Sequence, residues 1–157
     1  MRLTAAIALA ATVLIAAPRA DAYSFAPSGQ AFVGAGKVGF AAGVIGLDCK
    51  TVFSGAIDAG GGVLITAVTL SGGALGACGG IHALGLPWPV RPTGPRAANI
   101  ALVHVNAPMV GDCQGLDVPL AIDEEGVIRF GRFALSAGCA ITGGALATRP
   151  PVAIRAR

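Results

Sequence analysis

Charge is scarce in this sequence: of 157 residues, only 12% are Asp, Glu, Lys or Arg. The 11 basic and 8 acidic residues are scattered. That excludes the basic stripe of a nucleic-acid binder and leaves no field to steer an anionic polymer or a membrane surface. Aromatic residues are also few, at 5%, with one Trp and one Tyr. No Cys-x-x-Cys occurs, and neither His82 nor His104 stands at zinc-finger spacing from a cysteine pair, so no metal centre is expected. None of the serines after the leader (Ser24, Ser28, Ser54, Ser71, Ser136) lies in Gly-x-Ser-x-Gly. His82 and His104 have Asp112 and Asp117 as candidate partners, yet no spacing selects a triad. Asp123, Glu124 and Glu125 read as a solvated turn rather than as a glycosidase pair or an oxygen-rich calcium loop. Neither an enzyme nor a bound cofactor is expected. Long amphipathic helices with capping residues are missing too, which turns the fold reading toward strands.

What is present is apolar bulk. Hydrophobic residues make up 54% and the mean hydropathy is +0.74, which excludes intrinsic disorder. With 24 Gly and 10 Pro, the chain is too interrupted for a helical bundle and lacks the collagen period. Part of the apolar excess is an address. Arg2 precedes an uncharged run from Leu3 to Ala17, Pro18 breaks it, and Ala20-Asp21-Ala22 has the small-x-small pattern of signal peptidase sites. Residues 1-22 are read as a signal peptide, because the run falls short of the roughly 20 residues that span a bilayer. Export is therefore expected, to the medium, the cell surface or a periplasm, with no transmembrane segment. Removing Arg2, Arg19 and Asp21 takes the 11 basic and 8 acidic residues to 9 and 7, still close to neutral.

Residues 23-157 then read as a single small all-β domain, a sandwich or barrel of about eight to ten short strands with two disulfides. Strand-like runs are Val52–Ile57, Val63–Leu70, Ile100–Val105, Val118–Ile122, Val127–Leu135 and Val152–Ile154. Turns are marked by Asp58-Ala59-Gly60-Gly61-Gly62 and Asp123-Glu124-Glu125-Gly126. Export makes bridges the default for Cys49, Cys78, Cys113 and Cys139. Four cysteines permit three connectivities, and an internal echo favours one. Asp48-Cys49, Ile57-Asp58, Gly62-Val63-Leu64, Leu70-Ser71 and Cys78 recur as Asp112-Cys113, Ile122-Asp123, Gly126-Val127-Ile128, Leu135-Ser136 and Cys139. The preferred pairing is Cys49–Cys78 with Cys113–Cys139, one in each half of a duplication over 44-90 and 110-152. A chance echo of Gly-, Asp- and Val-rich sequence is the alternative.

Two stretches need separate treatment. Gly34-Ala35-Gly36-Lys37-Val38-Gly39 matches Gly-x-Gly-x-x-Gly literally, but the Gly-interrupted Phe40–Gly46 that follows is no helix. These glycines are read as serving close strand packing or turns. Pro87 to Pro95 holds four prolines in nine residues, which argues against a central strand and for a semi-rigid connection between the halves. Within it, Leu86, Pro87, Trp88 and Pro89 are the candidate apolar contact, because a ring held by prolines loses little entropy on meeting an apolar partner. The alternative for Trp88 is a cap on the end of the β core.

Leu70-Ser71-Gly72-Gly73, Cys78 and Ala83-Leu84-Gly85-Leu86-Pro87-Trp88 form the most recognisable stretch. With Ser24 to Gly29 and Cys139-Ala140-Ile141-Thr142-Gly143, it resembles the PraA/PraB-type protein activators of alkane oxidation. The resemblance implies a secreted bacterial protein that aids growth on long-chain hydrocarbons without oxidising them, associated with the cell surface and biofilm. It brings no catalytic residues. A surfactant-like or adhesive accessory at a hydrocarbon or cell-surface interface is thus the first expectation. A self-assembling subunit of an extracellular fibre or biofilm matrix, with Tyr23 to Val33 as donor strand, is the second.

Overall fold

The computed structural model describes residues 22–108 and 110–157. The expected signal peptide lies outside the described residues, apart from its last residue, Ala22. The described chain forms twelve strands: β1 (Tyr23–Ala26), β2 (Ala31–Ala42), β3 (Ile45–Ile57), β4 (Val63–Gly72), β5 (His82–Ala83), β6 (Trp88–Pro92), β7 (Ala97–Ala107), β8 (Gly111–Ile122), β9 (Val127–Phe130), β10 (Phe133–Ala134), β11 (Cys139–Arg149) and β12 (Ala153–Ala156). Short 3₁₀ segments at Ala74–Gly80 and Ser136–Gly138 punctuate them.

Eight strands close a ring of antiparallel neighbours, β2-β3-β4-β6-β7-β8-β9-β11, and β11 returns to β2. The fold is a barrel, not a sandwich. Closure removes the free edges that an open sheet would carry. Alternation sets which way each side chain points: on β3, Cys49, Thr51, Phe53, Gly55 and Ile57 are buried while Lys50, Val52 and Ala56 are exposed. The large apolar side chains, among them Phe32, Phe40, Phe53, Ile100, Val118 and Leu146, fill the inside of the ring. The inside is packed with apolar side chains, unlike the polar lumen of a membrane-spanning barrel, while the outer face mixes polar residues with the exposed Val33, Val52, Leu64 and Leu116. Among the described residues no helix is long and apolar enough to cross a membrane. β1 and β12 form a separate two-stranded ribbon that brings Phe25 over one end of the core.

The strands predicted from apolar runs are present, and two of the longest lie outside those runs. β2 covers the Gly-rich stretch that holds the Gly-x-Gly-x-x-Gly match, and β11 covers Cys139–Arg149. A Cβ on Gly34 would meet the Phe53 ring, one on Gly36 the Ala145 carbonyl, and one on Gly39 the Thr142 hydroxyl. The glycines let β2 lie closely between its neighbours, which is why a segment of low strand propensity is a central strand. The predicted run Val127–Leu135 is divided at Gly131-Arg132 into β9 and β10.

The proline-rich stretch corrects the reading that it could not supply a central strand. Trp88–Pro92 is β6, a stave of the barrel between β4 and β7. The prolines are tolerated because pairing is short and staggered. Trp88, Pro89 and Val90 face β4, Val90, Arg91 and Pro92 face β7, and only Val90 has partners on both sides. A missing N–H costs little where one flank has no ladder. β5 and β6 are two pieces of one broken stave. From Ala83↔Val105 to Val90↔Ile100 the chain advances seven residues against five on β7, so two extra residues bulge out.

Candidate functional site

Because neighbouring staves are antiparallel, the connections collect at two ends. At one end lie the β2–β3 turn, the 73–81 segment, the β7–β8 turn and the 135–138 turn. The ribbon, the 58–62 and 123–126 turns and the 93–96 connection lie at the other. Both disulfides are at the first end: Cys49–Cys78 spans 5.6 Å between Cα atoms and Cys113–Cys139 spans 5.9 Å. All four cysteines are buried.

Each bridge sits where the wall loses its ladder. β4 pairs with β6 only over Val63–Ile65, so Thr66–Gly72 has a strand partner on the β3 side alone. The segment carrying Cys78 covers that flank and is tied to β3 through Cys49. Likewise β8 pairs with β9 only over Leu120–Ile122. The 131–138 segment covers the flank below it, where the Gln114 N–H donates to Ser136 Oγ at 2.8 Å and Cys113 is bonded to Cys139. The echoed turns also match in detail. The Gly62 N–H donates to Asp58 Oδ1 at 2.9 Å, and the Val127 N–H donates to Asp123 Oδ1 at 2.8 Å. Asp58 and Asp123 each donate their own N–H to the carbonyl four residues on. Leu75 (φ 54°) and Ala137 (φ 57°) hold the left-handed conformation in the 3₁₀ segment of each half.

The candidate apolar contact falls on the bulge of the broken stave. Trp88 is turned inward, 4% exposed, and its Nε1–H donates to the Leu84 carbonyl at 2.8 Å. Leu86 and Pro89 are half-buried, and Pro87 is exposed. The four residues are contiguous, but they do not form one surface.

The exposed apolar side chains are elsewhere. Val44 and Leu75 are fully exposed, at 104% and 108%, and Ile45 beside Val44 is 47% exposed. All three project from the disulfide end, one pair from the β2–β3 turn and the third from the 3₁₀ segment after β4. Leu116, 70% exposed, stands on the outer face of β8, and Val33, Val52 and Leu64 are more modestly exposed on the outer faces of β2, β3 and β4. Reasoning from apolar runs misses the three at the disulfide end. Their signal is an apolar residue against turn glycines, Gly43-Val44 and Gly73-Ala74-Leu75-Gly76, where the chain has no room to turn the side chain inward.

The opposite end carries ion pairs. Arg96 meets Glu124 at 2.5 Å across two turns, and Arg129 meets Asp123 at 3.4 Å. The Val127 N–H, aided by Arg129, holds the Asp123 carboxyl below its ordinary value. On the outer wall β7 and β8 bring His104 and Asp112 together at 3.5 Å. Asn106 donates to Asp112 at 2.7 Å, and this bond, with His104 adding to it, lowers the Asp112 pKa. The arrangement is a cross-strand polar ladder with the Gln114 amide 3.4 Å from His104 Nε2. Among the described residues no group of three or more His, Cys, Asp or Glu is placed to hold a metal ion.

Fold and surface together define a disulfide-stapled antiparallel barrel with an apolar interior, one end tipped with apolar side chains and the other with charge. Residues 1–156 match the family described as alkane oxidation protein activator, PraA/PraB-like, and the chain belongs to that family. The family's name places it among activators of alkane oxidation. No curated protein and no solved structure matches the chain.

Proposed function

We propose that the protein is a secreted, non-catalytic accessory that promotes bacterial growth on long-chain hydrocarbons by adsorbing where oil, water and cell surface meet. One observation carries this reading: the opposition between the apolar tips Val44, Ile45 and Leu75 and the ion-paired far end. Fully burying an aliphatic side chain of this size contributes about 1.5–3 kcal/mol, so a few tips can hold the barrel at an oil surface. A stapled end keeps them exposed there instead of letting them collapse onto the core. The exposed Pro87 and half-buried Leu86 offer a further apolar contact on the side wall.

The test is interfacial. Purified protein lowers hexadecane–water tension and stabilises a hexadecane emulsion, and the double variant Val44→Asp/Leu75→Asp does so far less while melting at the same temperature. Deletion slows growth on hexadecane but not on succinate. Equal growth of the deletion strain on both carbon sources refutes the reading.

A structural subunit of an extracellular fibre or biofilm matrix is the second reading. It is favoured by the stretches of β4 and β8 that lack a strand partner on one side, which accept further strands once the covering segments are displaced. Against it, the expected donor segment is occupied in its own chain, Tyr23–Ala26 by β12 and Ala31–Val33 by β3. Electron microscopy of culture supernatant separates the two, because monomers at high concentration count against assembly.

A further inference from the structure

A void of about 100 Å³ lies inside the barrel. Protein interiors hold few voids larger than one water, and a single water needs only about 10–15 Å³. The lining is apolar, with Phe53, Trp88, Ile100, Val103 and Leu146 prominent, and Thr51 its only polar member. The Thr51 hydroxyl donates to the Cys49 carbonyl at 3.3 Å and so is already satisfied. Among the described residues, no buried side-chain nitrogen or oxygen lacks a partner. Water needs two to four polar partners to stay in such a space, whereas dry apolar cavities of about 150 Å³ take up benzene or xenon.

We propose that the barrel interior is a binding site for a small hydrocarbon guest no larger than benzene. The site is separate from the apolar tips, and its volume excludes a long-chain alkane as a whole. Phe25, on β1, and Val152, just before β12, line the void from the ribbon end. These two residues, and Leu135 before the 136–138 segment at the other end, lie outside the barrel's closed ladder, so a guest enters where one of these end covers yields.

Trp88 is the only tryptophan, lines the void and is 4% exposed, so its emission reads occupancy of the site. Bromoethane, a heavy-atom quencher that acts on contact, is expected to reduce that emission to a plateau, while iodide, confined to water, has little effect. Cyclopentane, which does not quench, is expected to restore the emission by competition. Val103→Phe, which fills the void, is expected to lose the saturable quenching while keeping a native far-UV spectrum. Quenching that rises linearly without a plateau, or that cyclopentane fails to reverse in the unaltered protein, overturns the proposal whether or not Val103→Phe folds. Val44→Asp/Leu75→Asp is expected to retain the saturable quenching. Its loss there places the guest on the surface and also overturns the proposal, whereas failed interfacial adsorption with intact quenching refutes only the surface reading.

Discussion

At Gly36 the β2 backbone passes so close to β11 that any side chain would press on the Ala145 carbonyl and Leu146 Cα. The obstacle is backbone on a paired strand, which cannot swing aside as a flexible side chain would. Gly36→Ala is therefore predicted to destabilise the barrel by about 1–3 kcal/mol, the usual range for overpacking. Gly46→Ala is the control. A Cβ there meets nothing within 4 Å and the backbone is not left-handed, so stability stays within about 0.5 kcal/mol. Urea unfolding of the two variants checks both, and equal midpoints would show that the close approach is not what selects glycine. The glycine pattern was legible in the sequence as close packing. What it packs against was not, because Ala145 lies more than a hundred residues further along the chain.

Among the elements, the broken staves explain the disulfides. Where β4 and β8 lose their ladders the wall is held by a covering segment and a covalent bond. The bridges close loops of similar length, with separations of 29 and 26 residues. Chain entropy then predicts about 3.5 kcal/mol for each. Cys49→Ser/Cys78→Ser and Cys113→Ser/Cys139→Ser are expected to lose nearly equal stability, measured by guanidinium unfolding. A loss confined to one pair means that the covering segment of the other holds without its bond. The pairing was readable from the echoed Asp-Cys motifs, since a hairpin-like unit places its own cysteines together. β6 was misread because a proline count carries no information about how far a strand pairs on either flank. β11 was missed because its Ala and Gly carry a weak strand signal until closure buries Ile141 and Leu146.

For the molecule as a whole, the ring joins an early strand to a late one: β2 pairs with β11 from Val33↔Arg149 to Ala42↔Cys139. Until that pairing forms β2 and β11 each lack a neighbour and the ring stays open, so unfolding is predicted to be a single cooperative transition. Trp88 emission, which reports the interior, and far-UV circular dichroism, which reports the strands, should share one midpoint. An earlier loss of Trp88 burial would mean that the barrel opens in parts. The low charge content that dominates the composition is also resolved at this scale, because the two arginine ion pairs lie at one end and the most exposed apolar tips at the other. The sequence by itself determined the strand-rich class and the turns at Asp58 and Asp123, since these depend on local backbone preference, and it favoured one set of bridge partners through the internal echo. Only the tertiary structure decided that the staves close into a barrel, that Trp88 faces inward and that Val44 and Leu75 face out. Those outcomes depend on which distant segments pair, and only pairing settles which face of each strand meets water.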